Sequence, residues 1–500
     1  MQKSIILSVP RFAALRPQAA PAIIKGILKH NNLPSKIIDI NLQFQTTFKQ
    51  KIEIKDYNAI DRWMFTNVTL TQEQNKILNN FIQHQVKKIV DYEPEFVFIS
   101  VFCWQCQKFT KKLCESIKKS CSAKIVIGGQ GLINQENGSF SQIPYFGLEL
   151  KKLKLIDHCI RGEAETTVMN IIQGNLPCQG VDTESYALPS NVNEHIFMEF
   201  DDTDPADYIS GYPGGVLPVE TSRGCVRRCA FCDIPTVHMG YRSKHGNRLG
   251  AELVNYYEKY KVENYFFHDA LCNGSMKDFR LFNQYLIEYY KNNDLSERTL
   301  KYSSHAIIRS EKQMNEKDYE LMYRAGADTM VIGVESGSER VRDKMRKNFD
   351  NKSLDYSMEM YSKYKIQVYL LLIVGFPNEY EEDFQETLNM LTRYQKYVAD
   401  GTIIGVNLGT TLTVEEGAPI YNEWQKFNII PTNGENRPIG PDWKAIDNPK
   451  LTYKERIMRR IRAQEHATNL GYIFWKGDDQ LDILMDKYQL RLSKLQGLVH

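Results

Sequence analysis

No stretch of this chain is long and apolar enough to span a bilayer. The most apolar run, Val368 to Phe376, falls far short of the roughly 20 residues that a crossing helix needs. The opening MQKSIILSVPRF is too short for a secretory signal and has no small-residue cleavage site, so the expected location is the cytoplasm, with no membrane as partner. Charge of one sign is also lacking. Lys and Arg number 63 against 61 Asp and Glu, a net charge of +2 that predicts neither nucleic acid nor an acidic surface as partner. There is no internal repeat and no low-complexity tract. Cysteine is sparse, ten in 500 residues, which in a cytosolic chain is no disulfide framework but allows a clustered subset to hold metal.

What is present is α/β patterning on a length that exceeds one core and predicts two domains plus a tail. Ser4 to Val9, Lys36 to Ile40, Phe96 to Val101 and Lys124 to Ile127 are short runs apolar on both faces, as buried parallel strands are. Helical spacing fills the gaps, as at Ala22 to His30 and Phe109 to Ser120. This alternation predicts a doubly wound, Rossmann-like sheet over 1–180. Residues 181–215, ending DDTDPADYISGYPGG, form a polar, Pro- and Gly-containing linker.

A second alternating series occupies 216–430. Its expected strands are Val216 to Glu220, Asn264 to His268, Thr299 to Ser304, Thr329 to Glu335, Gln367 to Val374 and Thr402 to Asn407. Between the first two, Leu249, Leu253, Tyr256, Tyr257 and Tyr260 recur at helical spacing. Six such units predict a partial (β/α)6 barrel of the TIM type. The remainder, 431–500, reads as a C-terminal helical region with segments at Tyr453 to Leu470 and Gln480 to Leu495. In the first, KERIMRRIRAQEH interleaves its charges with Ile457, Met458 and Ile461, which predicts a solvated helix face rather than an anion-binding surface.

The cluster of cysteines is TSRGCVRRCAFCDIP, a C-x3-C-x2-C loop of Cys225, Cys229 and Cys232 directly after the first barrel strand. Thiolates are soft ligands suited to iron–sulfur clusters and to zinc. Three ligands leave one iron of a cubane open to chelate a small molecule. The competing reading is a closed zinc site completed by His238. That reading leaves Arg223, Phe231 and the later barrel motifs unexplained.

The loop resembles the signature of the radical SAM superfamily, C-x3-C-x2-C with an aromatic residue, here Phe231, before the third cysteine. The resemblance continues through Arg242 and Ser243, Asp269 and Asn273 in FFHDALCNG, Glu335, Ser336 and Ser338 in VIGVESGSERV, and Gly375 and Pro377 in LLLIVGFPNEYEEDF. It implies a [4Fe–4S] cluster on the three cysteines. Its open iron takes S-adenosylmethionine, which is cleaved reductively to a 5′-deoxyadenosyl radical. Phe231, Asp269, Glu335, Ser336, Gly375 and Pro377 are the cofactor-binding candidates that the resemblance supplies. His268-Asp269-Ala270 stands where the family often has Gly-Gly-Glu, leaving the partner of the cofactor's amino group open.

A doubly wound sheet binds ligands beyond the carboxyl ends of its strands. The turns there contain RPQAAP, Ser100, a Gly-Gly pair and GEAET. In order, they resemble the cobalamin-binding domain that precedes the barrel in one radical SAM class, which implicates Pro17, Ser100, Phe102, Gly128, Gly129, Gly162 and Glu163. The Asp-x-His-x-x-Gly motif that supplies a lower-face histidine in other cobalamin proteins is absent, so no histidine of that motif meets the cobalt. A domain of the same fold without ligand is the alternative. Cys103 and Cys106 read either as a redox pair or as small buried hydrophobes.

The expected function is thus a cobalamin-dependent radical methyltransferase acting on an unactivated carbon. A small molecule or peptide is the expected substrate, with an external electron donor such as flavodoxin or ferredoxin. A non-methylating radical rearrangement or cyclisation and a non-catalytic iron–sulfur protein are the alternatives. The chain names no substrate.

Overall fold

The computed structural model describes residues 2–133, 144–409, 411–432, 437–438, 440–441 and 443–474. The helical segment expected at Gln480 to Leu495 lies outside them. By its internal packing the chain divides into two units, Met1–Val226 with Asp233–Tyr302, and Arg227–Cys232 with Ser303–His500.

Strands β1 (Ser4–Ser8), β2 (Ser35–Asp39), β3 (Phe96–Ser100), β4 (Lys124–Gly128) and β5 (His158–Ile160) form a sheet in the order β2-β1-β3-β4-β5. Every neighbour pair is parallel. The burial explains the apolar runs. Ile5, Leu7, Val97, Ile99, Ile125 and Ile127 enter one core, and Ile6, Phe96, Phe98 and Val126 enter the other. Each such side chain contributes about 1.5–3 kcal/mol by leaving water. Strand β5 was not among the expected strands. At three residues it carries too short an apolar signal.

The segment read as a linker is strapped to this sheet. Asp202 accepts from the backbone N of Ile37 at 2.7 Å and pairs with Lys25, Tyr208 donates to Asp39 at 2.5 Å, and the backbone N of Ile209 donates to Ala14 at 2.8 Å. The outer strand's unpaired edge is thereby partly covered.

The second series contains β6 (Val216–Val219), β7 (Ser222–Arg223), β8 (Arg242–Ser243), β9 (Asn264–Phe267), β10 (Lys301–Ala306), β11 (Ala327–Glu335), β12 (Gln367–Leu372) and β13 (Ile403–Asn407). Six of these make one sheet in the order β13-β12-β11-β10-β9-β6, and β7 pairs with β8 alone. Strand β6 pairs with β9, β11 with β12 and β12 with β13 in parallel, with helices between successive strands, as the barrel expectation requires. Strand β10 begins two residues later than expected. In β9, Phe267 stacks on Tyr302 at 4.9 Å and meets Phe282 at 5.6 Å, so it packs against the helix Met276–Asn292, while Phe266 and His268 take the opposite side by strand alternation.

The C-terminal region adds a hairpin of β14 (Ile429–Pro431) and β15 (Trp443–Ala445) and the helix Tyr453–Asn469. The expectation of a solvated arginine face on that helix is wrong. Arg456, Arg459 and Arg460 are 0%, 5% and 1% exposed. Arg456 stacks on Trp443 at 3.7 Å and donates to the carbonyls of Leu412, Pro441 and Trp443, and Arg459 pairs with buried Glu379 at 2.9 Å. Planar guanidinium groups with fixed donors can be buried where carbonyls and a ring receive them. Among the described residues no helix is long and apolar enough to cross a membrane.

Candidate active site

The cysteine loop springs from a two-residue stem. Ser222 faces Ser243 and Arg223 faces Arg242 across the antiparallel β7–β8 pair. Gly224 sits at φ +76°, and a Cβ there would lie 2.1 Å from the carbonyl oxygen of Gly240. Only glycine fits that crossing.

Asp269, expected to meet the sulfonium cofactor, has an internal task. Its Oδ2 accepts from the backbone N of Thr221 at 2.5 Å and of Ser222 at 3.1 Å, and the residue is buried. Burial and the nearby Glu220 push its carboxyl up to about 7. It braces the exit of β6, where the stem begins.

Around the stem lies a network of acids and guanidinium groups that sequence reasoning missed. Arg242 reaches Glu163 at 2.5 and 3.0 Å and donates to the Ser190 carbonyl. Arg223 meets Glu163 at 3.0 Å and Glu220 at 2.7 Å and also binds Glu165. His195 bridges Ser190 at 2.7 Å and Glu220 at 2.8 Å. Burial would raise the Glu163 carboxyl, but Arg242 and Arg223 bring it down to about 2. Glu163, Glu165 and His195 are close enough to share a metal ion, yet the two arginines already neutralise the carboxylates. Glu163 was expected to bind cobalamin. Its carboxylate is bound by Arg242, Arg223 and Ser190. The available signal was weak: two arginines flanking the cysteine loop and two acids in one turn.

In the second unit, Ala230 of the cysteine loop is held by main-chain bonds from its N to Met345 at 2.9 Å and from Ile420 N to its carbonyl at 2.7 Å. Lys347 pairs with Glu335 at 3.0 Å, and its Nζ lies 5.9 Å from the centre of the Phe231 ring. Burial would lower the Lys347 ammonium, but Glu335 and the sulfurs of Cys229 and Cys232 raise it. Gly333 leaves the room: a Cβ there would lie 2.4 Å from Glu335 Oε1. Glu335 has φ +68°, so its carboxylate is held where β11 breaks register. Lys347 carried no signal in sequence.

Ser336, also expected to touch cofactor, is fully buried. Its hydroxyl lies 3.3 Å from Thr387 Oγ1 and accepts from the backbone N of Ser338 at 3.2 Å, so it shapes the turn. Gly375 donates its N–H to Glu379 at 3.0 Å, its Cα faces the Arg456 side chain, and Pro377 follows in the same turn.

Beyond the carboxyl ends of β1, β3, β4 and β5 lie the other residues assigned to the N-terminal sheet. Pro17 lines a small cavity with Ser8, Gln18, Asp39 and Tyr208. Ser100 is buried at the end of β3, and Phe102 is 54% exposed with its ring 5.1 Å from that of Phe12. Gly128 ends β4. Gly129, at φ +112°, crosses the Val101 carbonyl so closely that a Cβ would sit 2.5 Å from it. Gly162 opens the turn after β5. The edge thus presents small residues and the exposed ring of Phe102 set against Phe12, the kind of surface on which a flat ligand can lie.

The radical SAM superfamily model matches residues 219–391, so this part of the chain is a radical SAM domain. Among curated relatives, an uncharacterized methyltransferase of Pyrococcus horikoshii is 24% identical over 304 residues, covering 57% of this chain and 63% of the relative. The ribosomal protein uS12 methylthiotransferase RimO of Aquifex aeolicus is 28% identical, covering 57% and 59%. The chain therefore spans less than two thirds of each. In fold it is similar to the cobalamin-dependent S-adenosylmethionine radical enzyme OxsB (TM-score 0.65, 15% identity, 98% of this chain and 71% of that one). It is also similar to the radical S-adenosylmethionine methyltransferase TsrM of Kitasatospora setae (TM-score 0.59, 14% identity, 88% and 78%). A radical SAM domain takes a [4Fe–4S] cluster and S-adenosylmethionine, and three thiols on one short loop are a donor set that fits such a cluster. This displaces the zinc reading.

Proposed function

We propose that this chain is a cobalamin-dependent radical methyltransferase that acts on an unactivated carbon of a small molecule or peptide. Cys225, Cys229 and Cys232 would hold the cluster, and the carboxyl edge of the N-terminal sheet, with Pro17, Phe102, Gly128, Gly129 and Gly162, would hold cobalamin. When bound, the cluster supplies the electron that cleaves S-adenosylmethionine, and cobalamin supplies the methyl group.

The chain's own part is positioning. Glu335, fixed by Lys347, offers a carboxylate beside Phe231 for the cofactor's hydroxyl or amino groups. Gly375 and Pro377, in the turn after β12, would also contact the cofactor. Asp269 and the Arg223–Arg242 network fix the stem so that the cysteine loop keeps one geometry. A flavodoxin or ferredoxin would deliver electrons.

The observation that carries the reading is one sequence holding both a radical SAM domain and an N-terminal five-stranded parallel sheet with small residues along its ligand edge. Anaerobic reconstitution with iron, sulfide and hydroxocobalamin tests it. Binding of about one cobalamin per chain and formation of S-adenosylhomocysteine together with 5′-deoxyadenosine support it. A chain that takes up no cobalamin contradicts it. A non-methylating radical reaction is the second reading, and 5′-deoxyadenosine formed without S-adenosylhomocysteine by the cobalamin-loaded chain would favour it.

A further inference from the structure

We infer that Cys103 and Cys106 form a redox-active dithiol in the N-terminal domain, a site that exchanges electron pairs with disulfides of small thiols. The reading is independent of cobalamin and of the radical chemistry.

The geometry is local and complete. The two Sγ atoms are 3.8 Å apart. A disulfide requires about 2.05 Å, so closure is a movement of roughly 2 Å. The backbone N of Cys106 donates to the Cys103 carbonyl at 3.0 Å, which folds the C-x2-C segment into one turn. That turn, Trp104–Cys106, leads directly into the helix Gln107–Ser120. Cys103 therefore stands before a helical N-terminus, where a thiolate is stabilised by the dipole.

The two thiols are unequal. Cys106 is 0% exposed, whereas Cys103 is partly exposed and follows Phe102, itself 54% exposed. A hydrogen bond from Cys106 and the neighbouring Arg11 hold the Cys103 thiol below the ordinary thiol range against the effect of burial, while the same bond and burial push Cys106 far up. Arg11 is itself fixed by Asp61 at 2.7 Å, and its carbonyl lies 3.4 Å from Cys103 Sγ. One accessible thiolate backed by a buried, protonated partner is the division of labour that thiol–disulfide exchange needs. Two inert core cysteines would show neither the exposure nor the asymmetry.

The step balances. The Cys103 thiolate attacks one sulfur of a disulfide RSSR, forming Cys103–S–S–R and releasing RS⁻. Cys106 then loses its proton and attacks Cys103 Sγ, forming the Cys103–Cys106 disulfide and releasing the second thiol. Two electrons pass from the protein to RSSR, and the protons leave with the released thiols or to water.

The test uses the full chain prepared without oxygen and equilibrated with mixtures of reduced and oxidised glutathione. Samples are quenched with iodoacetamide and digested with trypsin. Both cysteines fall in one tryptic peptide, Ile89 to Lys108. The expected result is a transition of this peptide from doubly alkylated to an unalkylated form lighter by two hydrogens than the dithiol. In Cys106→Ser, a glutathione adduct should accumulate at Cys103, at least about tenfold faster than at Cys106 in Cys103→Ser. A peptide that stays doubly alkylated under excess oxidised glutathione overturns the inference, as does equal adduct formation in the two variants.

Discussion

Arg242 closes on Glu163 with two prongs, at 2.5 and 3.0 Å, and so binds the turn after β5 of the N-terminal sheet to the return leg of the cysteine loop's stem. Both residues are largely buried and belong to one compact unit.

Arg242→Gln should therefore destabilise the chain by about 3 kcal/mol, the lower end for a buried pair because Arg223 still faces Glu163. The Glu163 carboxyl is depressed to about 2 in the folded chain, so its contribution is full above the ordinary carboxylate pKa and disappears as pH falls from about 4.5 towards 2. Urea midpoints across that window should fall more steeply for the unaltered chain than for Glu163→Gln.

Gly224→Ala should lose the cluster. The residue combines φ +76° with a Cβ position 2.1 Å from a backbone oxygen, so the stem must open. The left-handed conformation alone costs about 1–2 kcal/mol. Iron content after reconstitution should drop severalfold, with the thermal midpoint lowered less than by a core truncation.

Glu335 and Lys347 are coupled through their 3.0 Å contact. Glu335→Gln keeps the shape and should raise the S-adenosylmethionine concentration for half-maximal cleavage about tenfold, equivalent to roughly 1.4 kcal/mol. Lys347→Met leaves a buried carboxylate uncompensated and should cost about 3 kcal/mol in stability as well. The rate of 5′-deoxyadenosine formation against cofactor concentration, with urea midpoints alongside, separates the two effects.

Arg456→Met keeps length but takes the guanidinium donors from the carbonyls of Leu412, Pro441 and Trp443, of which Leu412 and Pro441 keep a bond from Trp443, and removes the stack on Trp443. About 2–4 kcal/mol should be lost. The urea midpoint of the purified variant checks this.

The cysteine spacing, the strands of both series apart from β5 and the short β7–β8 pair, and the glycine-rich turns were legible because each is a local pattern: adjacent thiols, apolar runs, small residues at strand ends. Partnership across the chain was not. Nothing near Asp269 announces that its carboxylate caps Thr221 and Ser222, nothing in GEAET announces Arg242, and Lys347 lies twelve residues from Glu335. The misread helix had a usable signal. Arg456, Arg459 and Arg460 share a stripe with Ala463 and Ala467, and two alanines at that spacing mark a face pressed against something. Charge outweighed that signal, because arginine is seldom buried without a carboxylate.

The most direct test of the account is cleavage of S-adenosylmethionine by the anaerobically reconstituted chain under dithionite. The account predicts about four irons and four sulfides per chain and release of 5′-deoxyadenosine, both lost when Cys225, Cys229 and Cys232 are replaced by alanine. A chain that binds zinc at these cysteines, or that assembles the cluster yet leaves S-adenosylmethionine intact, would contradict it.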